Sequence, residues 1–379
     1  METTAHVSQA PAAETAEARE EERIFVASQW KLMWLHFKRH KLAVIGSSVV
    51  IILYLMAIFH GFLAPYGKLE RSKYIYMPPQ GLVFSDGDGF SLRPHVYGII
   101  SKSNPDTFAR EYEVDKSAIY PIKFFVHGTK HSFLGLFKTD LHLFGVPGDG
   151  DIFLLGTDKL GRGLFSRILY GASISLSIGF LGVISSFVLG GILGGISGYY
   201  GGVMDMVIQR VIVFLTSMPT IPLWMALSAA VPTDWPALQV YFAITLILSL
   251  LGWCGLARVV RGKLLELRGE DFVMASRIAG SSDWWIITRH LLPSFMSYLV
   301  VSMTLAIPNM ILGETALSFL GLGLRPPVVS WGVLLEQAQN IRTVSSNPWL
   351  LIPGLFVIVT VLSFNFMGDG LRDAADPYK

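Results

Sequence analysis

An all-α polytopic membrane protein with six spans and a small β-rich external insertion is the fold class this chain predicts. Three observations carry that prediction. Apolar residues make up 52% of the 379 positions and charged ones only 15%, whereas soluble domains are about 25% charged. Uncharged windows near 20 residues, the length that crosses the hydrocarbon, recur at 42–64, 168–198, 211–231, 238–257, 294–313 and 350–368. Between the first two lies a long stretch of aromatics interrupted by Gly, Asp and Pro, which is a strand pattern.

Residues 1–41 form a polar N-terminal segment. Glu14, Glu17, Glu20, Glu21 and Glu22 stand where a cleaved signal peptide needs its apolar stretch, so none is expected. Lys31, Lys38, Arg39 and Lys41 flank the first span (42–64), and basic residues beside a span stay on the cytoplasmic side. Arg258, Arg261, Lys263, Arg268, Arg277 and Arg289 follow the fourth span, and Arg372 and Lys379 lie beyond the sixth. The loop around Pro232 instead has Asp234 and no base. Both termini and the loop 264–292 are therefore placed in the cytoplasm, with 65–165 and 321–349 outside.

Within 65–165, Lys123–Val126 and Phe133–Phe137 read as strands, and Asp86-Gly-Asp-Gly89 and Gly148-Asp-Gly-Asp151 as turns. A β-rich external domain is expected from about 70 to 152. An interface helix is expected next, with Asp158 and Arg162 paired four residues apart on one turn and Arg167 following. That stretch reads as structural rather than catalytic. His127, His131 and His142 superficially suit a metal, but Gly128 breaks the helix that would align the first two and Lys130 repels a cation. No metal site is assigned.

The core, 166–369, holds five spans, and 370–379 is a cytoplasmic tail. Gly190, Gly194 and Gly198 repeat every four residues, which leaves a bare stripe where a neighbouring helix can approach closely. The single cysteine, Cys254, excludes a disulfide within the chain. A net charge of +2 gives no reason to expect nucleic acid.

The loop 264–292 carries the most specific pattern. Glu270 to Ala279 can form an amphipathic helix with acids in its first turn, where the dipole favours them. Gly280 is a suitable stop, Ser281 or Ser282 can cap a second helix at Asp283-Trp-Trp285, and Pro293 suits the first turn of the next span. Two short helices at a bend on the cytoplasmic surface follow. Small Ala275 and Ser276 would let that elbow sit deep in a partner's groove.

Met274-Ala-Ser-Arg-Ile-Ala-Gly280, nine residues, then His290-Leu-Leu-Pro293 resembles the cytoplasmic "EAA" loop of ABC-type importer permeases. The loop's name-giving glutamate is Met274 here and its second alanine is Ser276, so no acidic contact is carried over. Leu155-Gly-Thr-Asp-Lys-Leu-Gly-Arg162, Glu314-Thr-Ala-Leu-Ser-Phe-Leu-Gly-Leu-Gly323 with Ser330-Trp331-Gly332, and Phe364-Asn365-Phe-Met-Gly-Asp369-Gly-Leu-Arg372-Asp373 with Asp376-Pro377 are similar to the second subunit type of dipeptide/oligopeptide/nickel permeases. The resemblance covers the first span and nearly everything after residue 150. Residues 67–150 exceed the short connection usual in that family.

The resemblance implies the type I importer fold in a bacterial inner membrane. It also implies a second homologous permease subunit, two ATP-binding cassette ATPases, an extracytoplasmic solute-binding protein and surrounding membrane lipid. Ala275, Ser276, Arg277, Gly280, Ser281, Asp283 and Pro293 would then face the ATPase. No G-x-x-x-x-G-K-[ST] occurs, Gly262-Lys263 being followed by Leu264. No cofactor is therefore expected on this chain, and ATP and Mg belong to partner subunits. The chain would be a permease without catalysis of its own. The implied cargo is short peptides, with oligosaccharides, opine-like conjugates or nickel as alternatives. A secondary transporter or channel is the rival of another class; it predicts an internal repeat or paired broken helices, neither of which the sequence signals. Two polar residues at membrane depth are candidates for a gate or path. Glu314 reads as a structural or gate-side hydrogen-bonding group, with solute contact the alternative. Asn309, beside Pro308, marks a kink toward the cavity.

Overall fold

The computed structural model describes residues 29–86, 89–103, 105, 110–133, 137–148 and 150–375. The acidic cluster at 14–22, turn residues Gly87, Asp88 and Asp149, the run 134–136 and Asp376-Pro377 fall outside them. Helices of eight or more residues are numbered here: α1 Gln29–Arg39, α2 Lys41–Ile58, α3 Leu164–Tyr200, α4 Gly202–Thr216, α5 Thr220–Ala229, α6 Ala237–Leu267, α7 Asp271–Ile278, α8 Met296–Phe319 and α9 Ile352–Ala375.

Among the described residues, five segments, α2, α3, α6, α8 and Pro348–Ala375, are long and apolar enough to cross a membrane. The window 211–231, expected as one span, is bent. Helices α4 and α5 meet at 88°, and the break falls at Pro219, which precedes α5. Proline lacks an N–H and pushes the residue before it out of helical geometry. The pair counts as a sixth span only as a broken one.

The bundle closes around a core that includes Leu53 of α2, Leu176 of α3, Leu248 of α6, Ile311 of α8 and Phe364 of α9, together with Trp331 of the short helix Trp331–Leu335. Helix α3 is its spine: 37 residues span roughly 55 Å. The glycine stripe of α3 meets α6. A Cβ on Gly194 would stand 2.5 Å from the Ala257 carbonyl oxygen, one on Gly198 2.7 Å from that of Arg261, and one on Gly190 2.9 Å from that of Trp253. Gly191 and Gly195 face open space. Backbone-to-backbone contact therefore joins α3 to α6 along the half of the bundle nearest the elbow.

Among its described residues the insertion forms two separate antiparallel sheets. Strands β1 (Val83–Asp86), β2 (Gly89–Ser103) and β3 (Arg110–Pro121) form one, and β4 (Lys123–Phe133) with β5 (Phe137–Gly145) the other. The expected strand Phe133–Phe137 is not one strand: Phe133 ends β4 and Phe137 opens β5, and the two are register partners, with 134–136 outside the described residues. Its aromatics belong to two strands. The three histidines do not form one cluster: the His131 and His142 rings lie 4.9 Å apart, but His127 stands away from them. His127 pairs with Asp140 at 2.9 Å, while His142 spends Nδ1 on the Ala64 carbonyl (2.6 Å) and Nε2 on that of Thr129 (3.0 Å).

The expected interface helix within 65–165 is replaced by a turn, since the next helix starts only at Leu164. Thr157 bridges Gly163, and Gly161 turns the chain at φ +72°, a left-handed geometry that glycine adopts freely. Asp158 still meets Arg162 (2.6 Å) and also Arg167, but as the buried centre of this turn. The turn is a strap. Gly161 accepts the Ser72 N–H (3.0 Å), Met77 the Thr157 N–H (2.9 Å), and Thr157 the Trp349 indole N–H (3.1 Å). It thereby ties the insertion's base to the start of the last span.

Candidate functional site

The elbow grows out of α6, whose last turn ends at Leu267. Asp271 opens α7 beside its positive end. At the other end the Ser281 N–H reaches back to Ser276 O (3.1 Å) and the Gly280 N–H to Arg277 O (2.9 Å), the closing pattern that needs a left-handed residue. Gly280 supplies it at φ +82°. Ser282, rather than Ser281, caps the second arm by accepting the Trp285 N–H at 3.4 Å. That arm is not a plain α-helix: Asp283–Trp285 continues as a π-helical turn, Ile286–Leu291, and Pro293 sits in a further short piece, Leu292–Ser294, one step before α8. Pro293 lacks the N–H that an α-helical turn would use there.

One face of the elbow is buried and the other bare. Val273, Ile286 and Leu291 pack with Tyr199 of α3, Val260 and Leu264 of α6, and Leu299 of α8. The Tyr199 hydroxyl donates to Asp283 Oδ1 (2.5 Å), and the Arg277 guanidinium lies 5.2 Å from the Tyr199 ring centre, a cation–π contact. Nearby, Arg261 of α6 forks onto Asp205 of α4 at 2.5 and 2.6 Å. On the other face Ile278 is 88% exposed and Trp284 73%, and Met274, Ala275, Gly280 and Pro293 are open as well. Ser276 and Ser281 are half-buried. The structure thus gathers six of the seven expected residues on one bend, with Pro293 following the second arm. It adds Tyr199, which no local pattern pointed to, because it lies 84 positions from Asp283.

Glu314 and Asn309 do not share a site. Asn309 is exposed on α8, and α8 runs on through Pro308. Glu314, expected to be a structural or gate-side hydrogen-bonding group, is fully buried. It accepts hydroxyl hydrogens from Ser330 (2.6 Å), Ser318 (2.8 Å) and Ser175 (3.3 Å). Such a carboxylate fastens α3, α8 and the returning loop together, and no solute reaches it without opening that knot.

Residues 188–378 match the family described as "binding-protein-dependent transport system inner membrane component". Residues 28–79 match the "N-terminal TM domain of oligopeptide transport permease C". The chain is 32% identical to the dipeptide transport system permease protein DppC of Lactococcus lactis, over 91% of this chain and 89% of that one. It is 40% identical to the protein of the same name from Bacillus subtilis, over 59% and 68%, and 41% identical to the oligopeptide transport system permease protein OppC of Haemophilus influenzae, over 59% and 69%. Among solved structures, it is similar to the inward-facing MetNI methionine ABC transporter at 20% identity and a TM-score of 0.43, over 55% of this chain and 96% of that chain.

Proposed function

This chain belongs to the family of binding-protein-dependent transport system inner membrane components, and we propose that it forms half of the pore of an ATP-driven importer of short peptides. As a multi-pass permease it carries solute rather than transforming it. The peptide cargo is supported by relatives named for dipeptide and oligopeptide transport along most of the chain.

One observation carries the coupling scheme: the elbow's bare face, with Ile278 and Trp284 outermost, backed by a buried face packed on α3, α6 and α8. A bend of this kind suits a groove in an ATPase. When ATP and Mg close two such ATPases, the elbow moves with its partner. The packed face then passes the displacement to three spans at once, because glycine-tight contact makes α3 and α6 one body. A second permease completes the pore, and a solute-binding protein delivers cargo on the insertion's side. The N- and C-termini then lie in the cytoplasm, as their basic flanks favour.

Disruption of the gene in its host, followed by uptake of a labelled dipeptide, an oligosaccharide and nickel, tests the cargo. Loss of dipeptide uptake alone supports the proposal, while loss of either other uptake alone reassigns the cargo. Pull-down of the tagged chain tests the class. Co-purification of ATPases is expected, and dipeptide uptake that continues after ATP depletion on an ion gradient would sink the ABC assignment.

A further inference from the structure

We propose that the cavity under the insertion binds an anionic phospholipid, with its phosphate between Lys68 and Lys130 and an acyl chain along α6. The cavity measures about 690 Å³. Its floor is the first turns of two spans, with Tyr170, Ser173 and Ile174 from α3 and Leu238 and Tyr241 from α6. Tyrosines at span ends mark the headgroup level of a bilayer.

The roof belongs to the insertion and is held in place. A Cβ on Gly61 would run into the His131 ring, so β4 sits directly on the end of the first span. The His142 bond to Ala64 holds the neighbouring strand to the same point. The opening is therefore part of the fold.

Charge and shape then select the occupant. Lys68 and Lys130 line the cavity, and among the described residues that line it none is acidic. Neither lysine belongs to an ion pair among the described residues. The nearest acid in sequence, Glu70, accepts the Gly67 N–H at 2.9 Å and lies outside the lining. Three floor hydroxyls are engaged: Ser173 donates to Tyr170 O (2.8 Å), Ser177 to Ile174 O (2.9 Å) and Tyr241 to Ser177 Oγ (2.9 Å). Neither ammonium group is held in a salt bridge among the described residues, and Asp140, the acid within electrostatic reach of Lys130, is engaged by His127.

A soluble anion would fill the polar part alone. Yet Leu238, Phe242 and Leu246 stand four residues apart on one face of α6, exposed by 66%, 56% and 68%. They form an apolar stripe that leads away from the cavity for roughly 12 Å. A cationic recess continuous with an apolar stripe along a span fits a molecule with an anionic head and a hydrocarbon tail.

The test uses the whole transporter, purified in mild detergent and examined by native mass spectrometry. The probes are phosphatidylglycerol, phosphatidylethanolamine and inorganic phosphate. Wild-type complex is expected to retain phosphatidylglycerol in preference to phosphatidylethanolamine. The Lys68→Glu/Lys130→Glu variant should retain roughly tenfold less phosphatidylglycerol. Ser173→Trp, which fills the cavity without altering charge, should lose it similarly while assembling normally. Equal retention by all three proteins overturns the proposal. So does displacement of the lipid by inorganic phosphate, which would assign the recess to a free anion. Quantitative cross-linking of position 238 to the second permease would overturn it too, since a protein would then cover the stripe.

Discussion

Ser330 donates its hydroxyl to Glu314 across 2.6 Å while accepting the Val333 N–H at 3.2 Å. Ser318 and Ser175 do the same, accepting the N–H groups of Leu324 (3.0 Å) and Trp331 (3.1 Å). Each serine has one hydroxyl hydrogen, and in all three it points to the same carboxylate. Glu314 thus organises backbone at three places through intermediaries. Ser330→Ala removes one donor and the cap of Trp331–Leu335 together. A loss of about 2 kcal/mol is expected, read as lower thermal stability of the purified transporter. Glu314→Ala, which strands three hydroxyls, should cost more, and Glu314→Gln less than Glu314→Ala. A melting curve for Ser330→Ala that overlays the wild type would refute this role.

At the elbow the constraint on Gly280 is conformational. An added Cβ would meet nothing within 4 Å, yet φ is +82°, where a β-branched residue is strained by about 1–3 kcal/mol. Gly280→Val should reopen the bend, lowering ATPase co-purification and peptide uptake at least tenfold with unchanged membrane levels. Gly280→Asn, which tolerates left-handed geometry, should retain most of both. If valine and asparagine behave alike, the bend is not what couples.

These two sites show what was legible in the sequence. The elbow could be read because its signals are local: Gly280 stops a helix, Ser282 caps the next, and spacing sets the bend. The glycine stripe could be read for the same reason, though not its partner helix. Glu314's environment was not legible, because Ser175 and Ser330 reach it from 139 and 16 positions away and serine carries no pattern. The π-helical turn after Trp285 escaped because propensity does not distinguish it from α-helix. The bend between α4 and α5 had a visible cause in Pro219, which hydropathy averaging over the window 211–231 concealed.

Contact between α3 and α6 makes opposite predictions for adjacent glycines. Gly194→Ala would press a methyl to 2.5 Å from the Ala257 carbonyl, whereas Gly195→Ala enters open space. The first should force the helices apart at a cost of about 1–3 kcal/mol, seen as reduced thermal stability and weaker coupling of ATP hydrolysis to uptake. The second should match the wild type. Equal behaviour would mean that the helices do not touch along this stripe.

Asp158 yields a pH prediction. Its carboxyl is fully buried, and burial pushes its pKa up. The Arg167 guanidinium, then the Arg162 side chain and N–H, pull it down further, so the net value lies below the ordinary carboxylate range. A depressed folded-state pKa stabilises the protein at every pH above the unfolded value of about 3.9. That stability is lost as pH falls through the folded-state value. For this group, the transporter's melting temperature should be flat from neutral pH to about 5 and decline below about 4. Asp158→Asn leaves two buried guanidiniums without a counter-charge and should cost about 3–5 kcal/mol at neutral pH. It should also remove this carboxyl's share of the acid decline. Adding Arg167→Met to Asp158→Asn takes away one of the stranded charges and should recover part of the loss. Scanning fluorimetry of the three proteins between pH 3 and 7 decides it. An Asp158→Asn protein as stable as the wild type at neutral pH would show that the strap between the insertion and the last span does not depend on this ion cluster.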